Sequence, residues 1–257
     1  MAYPVLSRPR MNVSLYQAAA AMNAQARWQE MITQNLAAGS VPGFRKQDIS
    51  FSAVQAGADA TALNTPGAQY LLPTATAATN FEEGEMRATG NSMDFAIEGP
   101  GFFQVQLSNG STGYSRDGEF HINAQGQLVT KQGYAVLGDG GPLQFDPNSS
   151  APLTVASTGE ISQGDQAKGR IHIVEFDNPH SLTAIGAGYF LADRTVVPGA
   201  ASASSIRQGF LEGSNTSPTT EMASLITAMR MFEANQKVLQ MQDERMGLVI
   251  SDLGGTS

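Results

Sequence analysis

The sequence predicts an α+β fold in which long N- and C-terminal helices pair in a coiled-coil-like layer and a central all-β domain lies between them in the chain. Three observations predict it. Apolar residues recur at alternating steps of three and four at both ends of the chain, the spacing of a heptad seam. Between those ends, short runs alternate apolar and polar residues, the period of a half-buried strand. Glycine and asparagine turn signals interrupt these runs about every ten residues, as in all-β domains.

Taken in order, residues 1–13 read as a loose leader, because Pro4 and Pro9 forbid regular structure there. Residues 14–51 read as a helix and a turn. The helix, about Ser14 to Ala38, carries Met11, Leu15, Ala18, Met22, Ile32 and Leu36 on one face, with Gln25 and Gln29 filling the gap. Gly39 is a natural stop, and Pro42, Gly43 and Phe44 mark a turn whose aromatic side chain needs cover. Residues 52–80 are rich in Ala, Thr, Gln and Gly and contain Pro66 and Pro73, which suits an extended connector.

Residues 81–213 read as the central β-domain. Phe103, Val105 and Leu107 alternate with Gln104 and Gln106, and the run stops at Asn109 and Gly110. Phe120 and Ile122 lead through Asn123–Gly126 to Leu128 and Val129, a hairpin with a four-residue turn. Tyr134, Val136 and Leu137 run into Gly138, and Ile171, Ile173 and Glu175 share one face of a further strand. Long crossovers are expected at Asp146–Ala151 and Val197–Ser205.

Residues 214–257 read as the C-terminal helix. Ser217 supplies an N-cap, Pro218 a first helical residue, Glu221 a carboxylate near the positive end of the helix dipole, and Gly254 and Gly255 a stop. Such a helix is about 50 Å long at about 1.5 Å per residue. Its seam runs through Met222, Leu225, Met229, Phe232, Leu239, Met246, Ile250 and Leu253, interrupted only by Gln236 and Asp243. A stripe of that length needs another long helix, either the N-terminal one or copies from other molecules. Few charges flank the seam and methionine is adaptable, so it suits a surface shared among subunits. Met22, Ile32, Leu36, Phe44, Met222, Leu225, Met229, Phe232, Leu239, Met246 and Ile250 are the expected assembly interface. The plainer alternative is an amphipathic helix pair packed on its own domain.

Composition narrows the function classes. The formal net charge is −8 over 257 residues, with no basic stripe to neutralise phosphates, so no nucleic-acid partner is expected. The absence of cysteine excludes disulfides, thiolate metal sites and a cysteine nucleophile. No run approaches a membrane-spanning length, and residues 1–10 lack the apolar core of a secretory signal, so neither membrane insertion nor Sec export is expected. His121, His172 and His180 show no metal-ligand spacing. The glycines at 99 and 101, and at 138, 140 and 141, precede neither a helix nor a lysine and read as turns, not phosphate cradles. No serine sits in a nucleophile elbow, and Arg116 with Asp117 reads as a solvated or turn-stabilising couple. These residues point to no enzyme, cofactor or metal.

Four stretches carry a family resemblance. Asn35, Leu36 and Ala37, followed by Gly43, Phe44, Arg45 and Lys46, resemble the N-terminal signature of flagellar axial proteins, the rod and hook subunits of the basal body. Glu98 to Phe103, with Gly99, Gly101 and Phe102, is similar to their central glycine-phenylalanine element. Tyr114 to Phe120, with Arg116 and Gly118, and then Gly126, Leu128, Val129, Gly133 and Tyr134, resembles a third stretch. Leu211 to Asn215, with Ser214 and Asn215, followed by Glu221, Met222, Phe232, Glu233, Asn235 and Lys237, is similar to the C-terminal pattern. Two positions depart from it, Ala38 where asparagine is usual and Val41 where threonine is usual.

The compact centre and the LEGSN form resemble a proximal-rod subunit more than a distal-rod one, and the large insertion of the hook subunit is missing. The resemblance implies a structural, torque-transmitting protein exported unfolded by the flagellar type III apparatus. It implies helical assembly around a central channel in the rod, beyond the inner membrane in the periplasmic space. The implied partners are copies of the chain and other rod and hook subunits. Two other classes share the composition: another extracellular β-rich filament or phage-tail-like structural protein, and a β-rich carbohydrate-acting enzyme.

Overall fold

The computed structural model describes residues 13–56, 70–147, 149 and 151–254; the leader up to residue 12 and the middle of the connector lie outside this range. The chain divides into two compact units. One is drawn from the chain up to Gln34, from Asp48–Ala78 and from Thr219 onward; the other comprises Asn35–Gln47 and Thr79–Pro218.

The first unit is built from two helices and a strand pair. Helix α1 spans Val13–Ala37 and α2 spans Pro218–Gly254. Strands β1, Gln47–Ala56, and β2, Tyr70–Thr79, form a two-stranded sheet. The segment expected as an extended connector therefore holds paired strands, and the turn expected up to residue 51 gives way to β1 at Gln47. The cause is a period-two pattern that composition conceals. Ser50 meets Thr76 at 2.8 Å and Ser52 meets Thr74 at 2.9 Å, making hydroxyl rungs on the exposed face. On the alternate positions Ile49 packs toward the helices, and the Phe51 ring stands edge-on to Trp28 at 5.6 Å.

The helices meet through Met31, Ile32 and Ala228, with Trp28, Ile49 and Leu225 packed around them. Two amides cross the contact: Gln25 Nε2 donates to the Ala228 carbonyl at 3.3 Å, and Asn235 Nδ2 donates to Gln25 Oε1 at 2.7 Å. The covered face of α2 runs through Glu221, Leu225, Ala228, Phe232, Asn235, Leu239 and Gln242. Of the expected seam, Leu225, Phe232 and Leu239 lie on this face, whereas Met222 and Met229 are exposed in the single chain and Ala228 and Asn235 take their side of the stripe. Two heptad readings share the leucine and phenylalanine positions and differ by one residue at the others. The small Ala228, fully buried, lets α1 approach closely, and that selects between them.

The second unit holds the central β-structure. Strands β3 to β6 are Met86–Ala88, Phe95–Glu98, Phe102–Gln106 and Thr112–Ser115. Strands β7 to β9 are Phe120–Ile122, Leu128–Thr130 and Ala135–Gly138. The main sheet runs in the order Leu182–Gly186, Tyr189–Ala192, β6, β5, β9, β8, β7, with antiparallel neighbours throughout. The hairpin expected at Asn123–Gly126 is present as β7 and β8. Leu153–Val155, Glu160–Gln163 and Gln166–Arg170 make a separate three-stranded sheet.

Adjacent phenylalanines in β5 point to opposite faces, and each seeds a core. Phe103 joins Phe95, Phe120, Val105, Leu128, Val136, Ile161 and Ile171. Phe102 joins Tyr114, Val174, Phe176, Leu182 and Phe190. Each such side chain contributes about 1.5–3 kcal/mol on burial, and of the large apolar residues of this unit Ile185 and Val197 stay exposed.

Candidate assembly surfaces and the motif cluster

The signature residues of the centre converge on one buried charged group. Glu212, at the end of the strand Phe210–Glu212 that pairs with β3, receives Arg45 Nη1 at 2.7 Å on Oε1 and Arg116 Nη1 at 3.2 Å on Oε2. All three side chains are essentially inaccessible, at 0, 1 and 2% exposure for Arg45, Glu212 and Arg116. The Gly84 amide also donates to Oε1 at 2.8 Å. The arginines in turn donate to main-chain carbonyls: Arg45 to Glu82, and Arg116 to Ile97 and Gly99, while the Arg116 guanidinium lies 5.1 Å over the Phe102 ring. Burial pulls the Arg116 pKa down to about 10 against the opposing pull of Glu212.

Two arginines on one carboxylate leave an excess buried positive charge, so the carboxylate is what makes the burial of either tolerable. Of the two readings of Arg116 with Asp117, the solvated couple is corrected by this geometry, whereas Asp117 does stabilise its local turn. Both side chains are buried, Arg116 pairs with Glu212, and Asp117 Oδ1 accepts the Glu119 amide at 3.0 Å. Burial is the chief cause that pushes Asp117 up to about 6. Chain neighbours say nothing about partners a hundred residues away.

Other signature residues secure the backbone around this group. Asn35 exchanges two bonds with the Gln47 main chain, at 2.8 and 2.9 Å. Asn215 Oδ1 accepts the Lys46 amide at 2.7 Å, and its Nδ2 donates to the carbonyls of Asn80 and Glu82, both at 3.0 Å. Ser214 Oγ accepts the Thr216 amide at 3.1 Å. Gly43 donates to the Glu212 carbonyl at 2.7 Å and has φ +64°; a Cβ there would lie 2.3 Å from the Arg116 carbonyl carbon. At Gly118 a Cβ would lie 1.7 Å from the Phe95 oxygen. These two positions admit only glycine because backbone passes directly over them. Phe44 is partly buried, and its carbonyl accepts the Asn215 amide. Arg45 and Glu212, the centre of the arrangement, lie inside the first and fourth signature stretches, but their pairing gives no local signal because 167 positions separate them.

The helical signature residues are dispersed. Glu221 is buried, Asn235 is tied to Gln25, and Glu233 and Lys237 are exposed. On α1, Ile32 is buried and Met22 and Leu36 are partly buried. Met246 is 40% exposed, and the side chain of Ile250 lies outside the described residues. On α2, Met222, Ile226, Met229, Met231, Met241 and Leu248 are exposed large apolar side chains. Among the described residues no group of acidic or histidine side chains is placed to hold a metal, and no helix is long and apolar enough to cross a membrane.

Known proteins share these stretches. The profile described as Flagellar hook protein FlgE/F/G D1 domain matches residues 96–163, and Flagellar basal body rod FlgEFG protein C-terminal matches residues 207–252. The flagellar basal-body rod protein FlgF of Caulobacter vibrioides is 34% identical over 226 residues, covering 88% of this chain and 91% of the relative. FlgG of Borreliella burgdorferi is 35% identical over 258 aligned positions, covering 91% and 96%. FlgF of Salmonella typhimurium is 32% identical over 251 residues, covering 92% and 96%. The matched profiles take in Arg116, Glu212 and most of α2, and the relatives align over most of their length. The chain belongs to the flagellar basal-body rod protein family.

Proposed function

We propose that the chain is a structural subunit of the bacterial flagellar basal-body rod, polymerising helically through its terminal helices to transmit torque. The observation that carries this reading is the surface of α2. Ile226, Met229, Met241 and Leu248 are 52 to 67% exposed, on sides of the helix that α1 does not cover. A helix apolar on several sides is stable where several neighbours bury it, and large exposed apolar patches mark contact surfaces.

Contacts between unlike patches on successive copies need not close, which yields a filament instead of a ring. In that filament α1 and α2 form the coiled-coil-like layer, and the central β-domains set lateral spacing. Its partners are copies of the chain and other rod and hook subunits. The type III export apparatus delivers it, and it works in the rod within the periplasmic space. It has no catalytic role. Its compact centre favours the proximal-rod type, although relatives of both the FlgF and FlgG kinds match it about equally.

Met229→Glu tests the reading. A carboxylate at an exposed position barely affects the free subunit, but burying it in a contact costs several kcal/mol or forces its protonation. Cells making this variant should export it, fail to complete the rod and not swim. Normal swimming would overturn assembly through α2.

A further inference from the structure

We infer that α2 of one copy packs parallel to α2 of a neighbouring copy, displaced along the axis by twelve residues. This rests on the reading of the chain as a polymerising subunit and adds its partner and its register. Two exposed patches carry the inference. The first is Met222, Ile226 and Met229, closed by Glu233; the second is Ala234, Val238 and Met241, closed by Arg245. Every one of these positions is exposed, and both patches use the same four, three, four spacing. At about 100° per residue they lie roughly 120° to either side of the stripe that faces α1, so both stay open while α1 is in place.

The patches are also offset along the helix. On the first flank the sequence turns polar after Met229, at Glu233, Gln236 and Gln240. On the second it is polar before Met231, at Thr220 and Thr227. Two copies placed level would set apolar side chains against polar ones. A shift of twelve residues, about 18 Å at about 1.5 Å per residue, sets Met222 against Ala234, Ile226 against Val238, Met229 against Met241, and Glu233 against Arg245.

Polarity of the pair follows from the charges. An antiparallel arrangement would place Arg245 against Met222 and Glu233 against Ala234, leaving both charges on apolar partners. In the parallel arrangement the two opposite charges meet at the rim of the contact, where such pairs set register. Because the patches differ, each copy offers one to the neighbour ahead and one to the neighbour behind, and the contact propagates.

The chain lacks cysteine, so introduced pairs report cleanly. In Met229→Cys with Met241→Cys the two positions are about 18 Å apart on one helix, beyond the roughly 7 Å Cα separation a disulfide spans. Any bond must therefore join two copies. Oxidised basal bodies isolated from cells making this variant should yield a ladder of multimers that reductant collapses. The off-register pair Met229→Cys with Leu248→Cys should not. Completed rods without a ladder, or a ladder in the off-register pair alone, would overturn the register while leaving polymerisation intact; normal swimming of Met229→Glu would overturn polymerisation itself.

If the cysteine variant builds no rods, a charge exchange decides. Glu233→Arg and Arg245→Glu should each reduce swimming, and their combination should restore it. A combination no better than the single variants overturns the pairing.

Discussion

The two units differ in where their apolar residues end up. The central unit encloses phenylalanine clusters on both faces of β5 and even buries three charges. The helical unit encloses little more than Met31, Ile32 and Ala228, and leaves large side chains along α2 in water. A closed core allows a unit to stand alone, whereas an unfinished one is completed by neighbours. One chain thus combines a part that closes its own core with a part that leaves an apolar helix surface open in the single subunit.

The strongest challenge to this contrast is Glu212→Gln. It leaves two arginines buried without a counter-charge, and removing one partner of a buried pair costs about 3–5 kcal/mol. The full chain should lose most of the denaturant resistance of its central unit, read by hydrogen exchange in β4 and β5. A loss under about 1 kcal/mol would mean that solvent, not the carboxylate, satisfies the arginines.

Asp117→Asn should act in the opposite direction. The folded-state pKa of Asp117 is raised, so its contribution to stability is fully present below the unfolded value of 3.8 and is lost as pH rises through about 6. Above that pH the buried charge costs about 2–3 kcal/mol. The amide variant should be more stable than the parent by about 2 kcal/mol at pH 7.5 and equal to it below pH 4. A melting curve for each protein at the two pH values checks this; a pH-independent difference would assign the effect to packing.

Ala228→Leu addresses the helical unit. Overpacking a fully buried alanine costs about 1–3 kcal/mol, and here it should raise exchange only in α1 and α2. Exchange rising equally in β5 would mean that the two units unfold as one. The smallest effects are expected at Met229→Glu in the free subunit and at Arg87→Ala, which loses only an exposed contact to Glu85 at 3.5 Å. Each should change stability by no more than about 0.5 kcal/mol.

Much of the fold is legible in local spacing. The start of α2 at Pro218, the hairpin around Asn123–Gly126 and the alternation in β5 all express short-range rules, whereas α1 already ends at Ala37 and Gly39 does not take the left-handed conformation of a glycine stop. What escaped depends on distant partners. The phase of the α2 stripe is decided by how closely α1 approaches Ala228, and β1 with β2 is visible only once Ser50 is set beside Thr76. The burial of Arg116 depends on Glu212, 96 positions away. Periodicity locates a surface but not what lies against it.

The charge imbalance at Glu212 also constrains how the protein can change over generations. Apolar side chains of suitable volume can replace a buried ion set without loss of stability, yet only when the whole set changes together. Exchanging Glu212 first leaves two arginines stranded, whereas losing either arginine leaves the other in a one-to-one pair with the carboxylate, so the step that is closed is the early loss of Glu212. The methionines of α2 face no such barrier, because adaptable apolar residues interchange at small cost. Lineages descending from this chain should therefore hold Glu212 more tightly than either arginine, while the exposed apolar residues of α2 interchange freely.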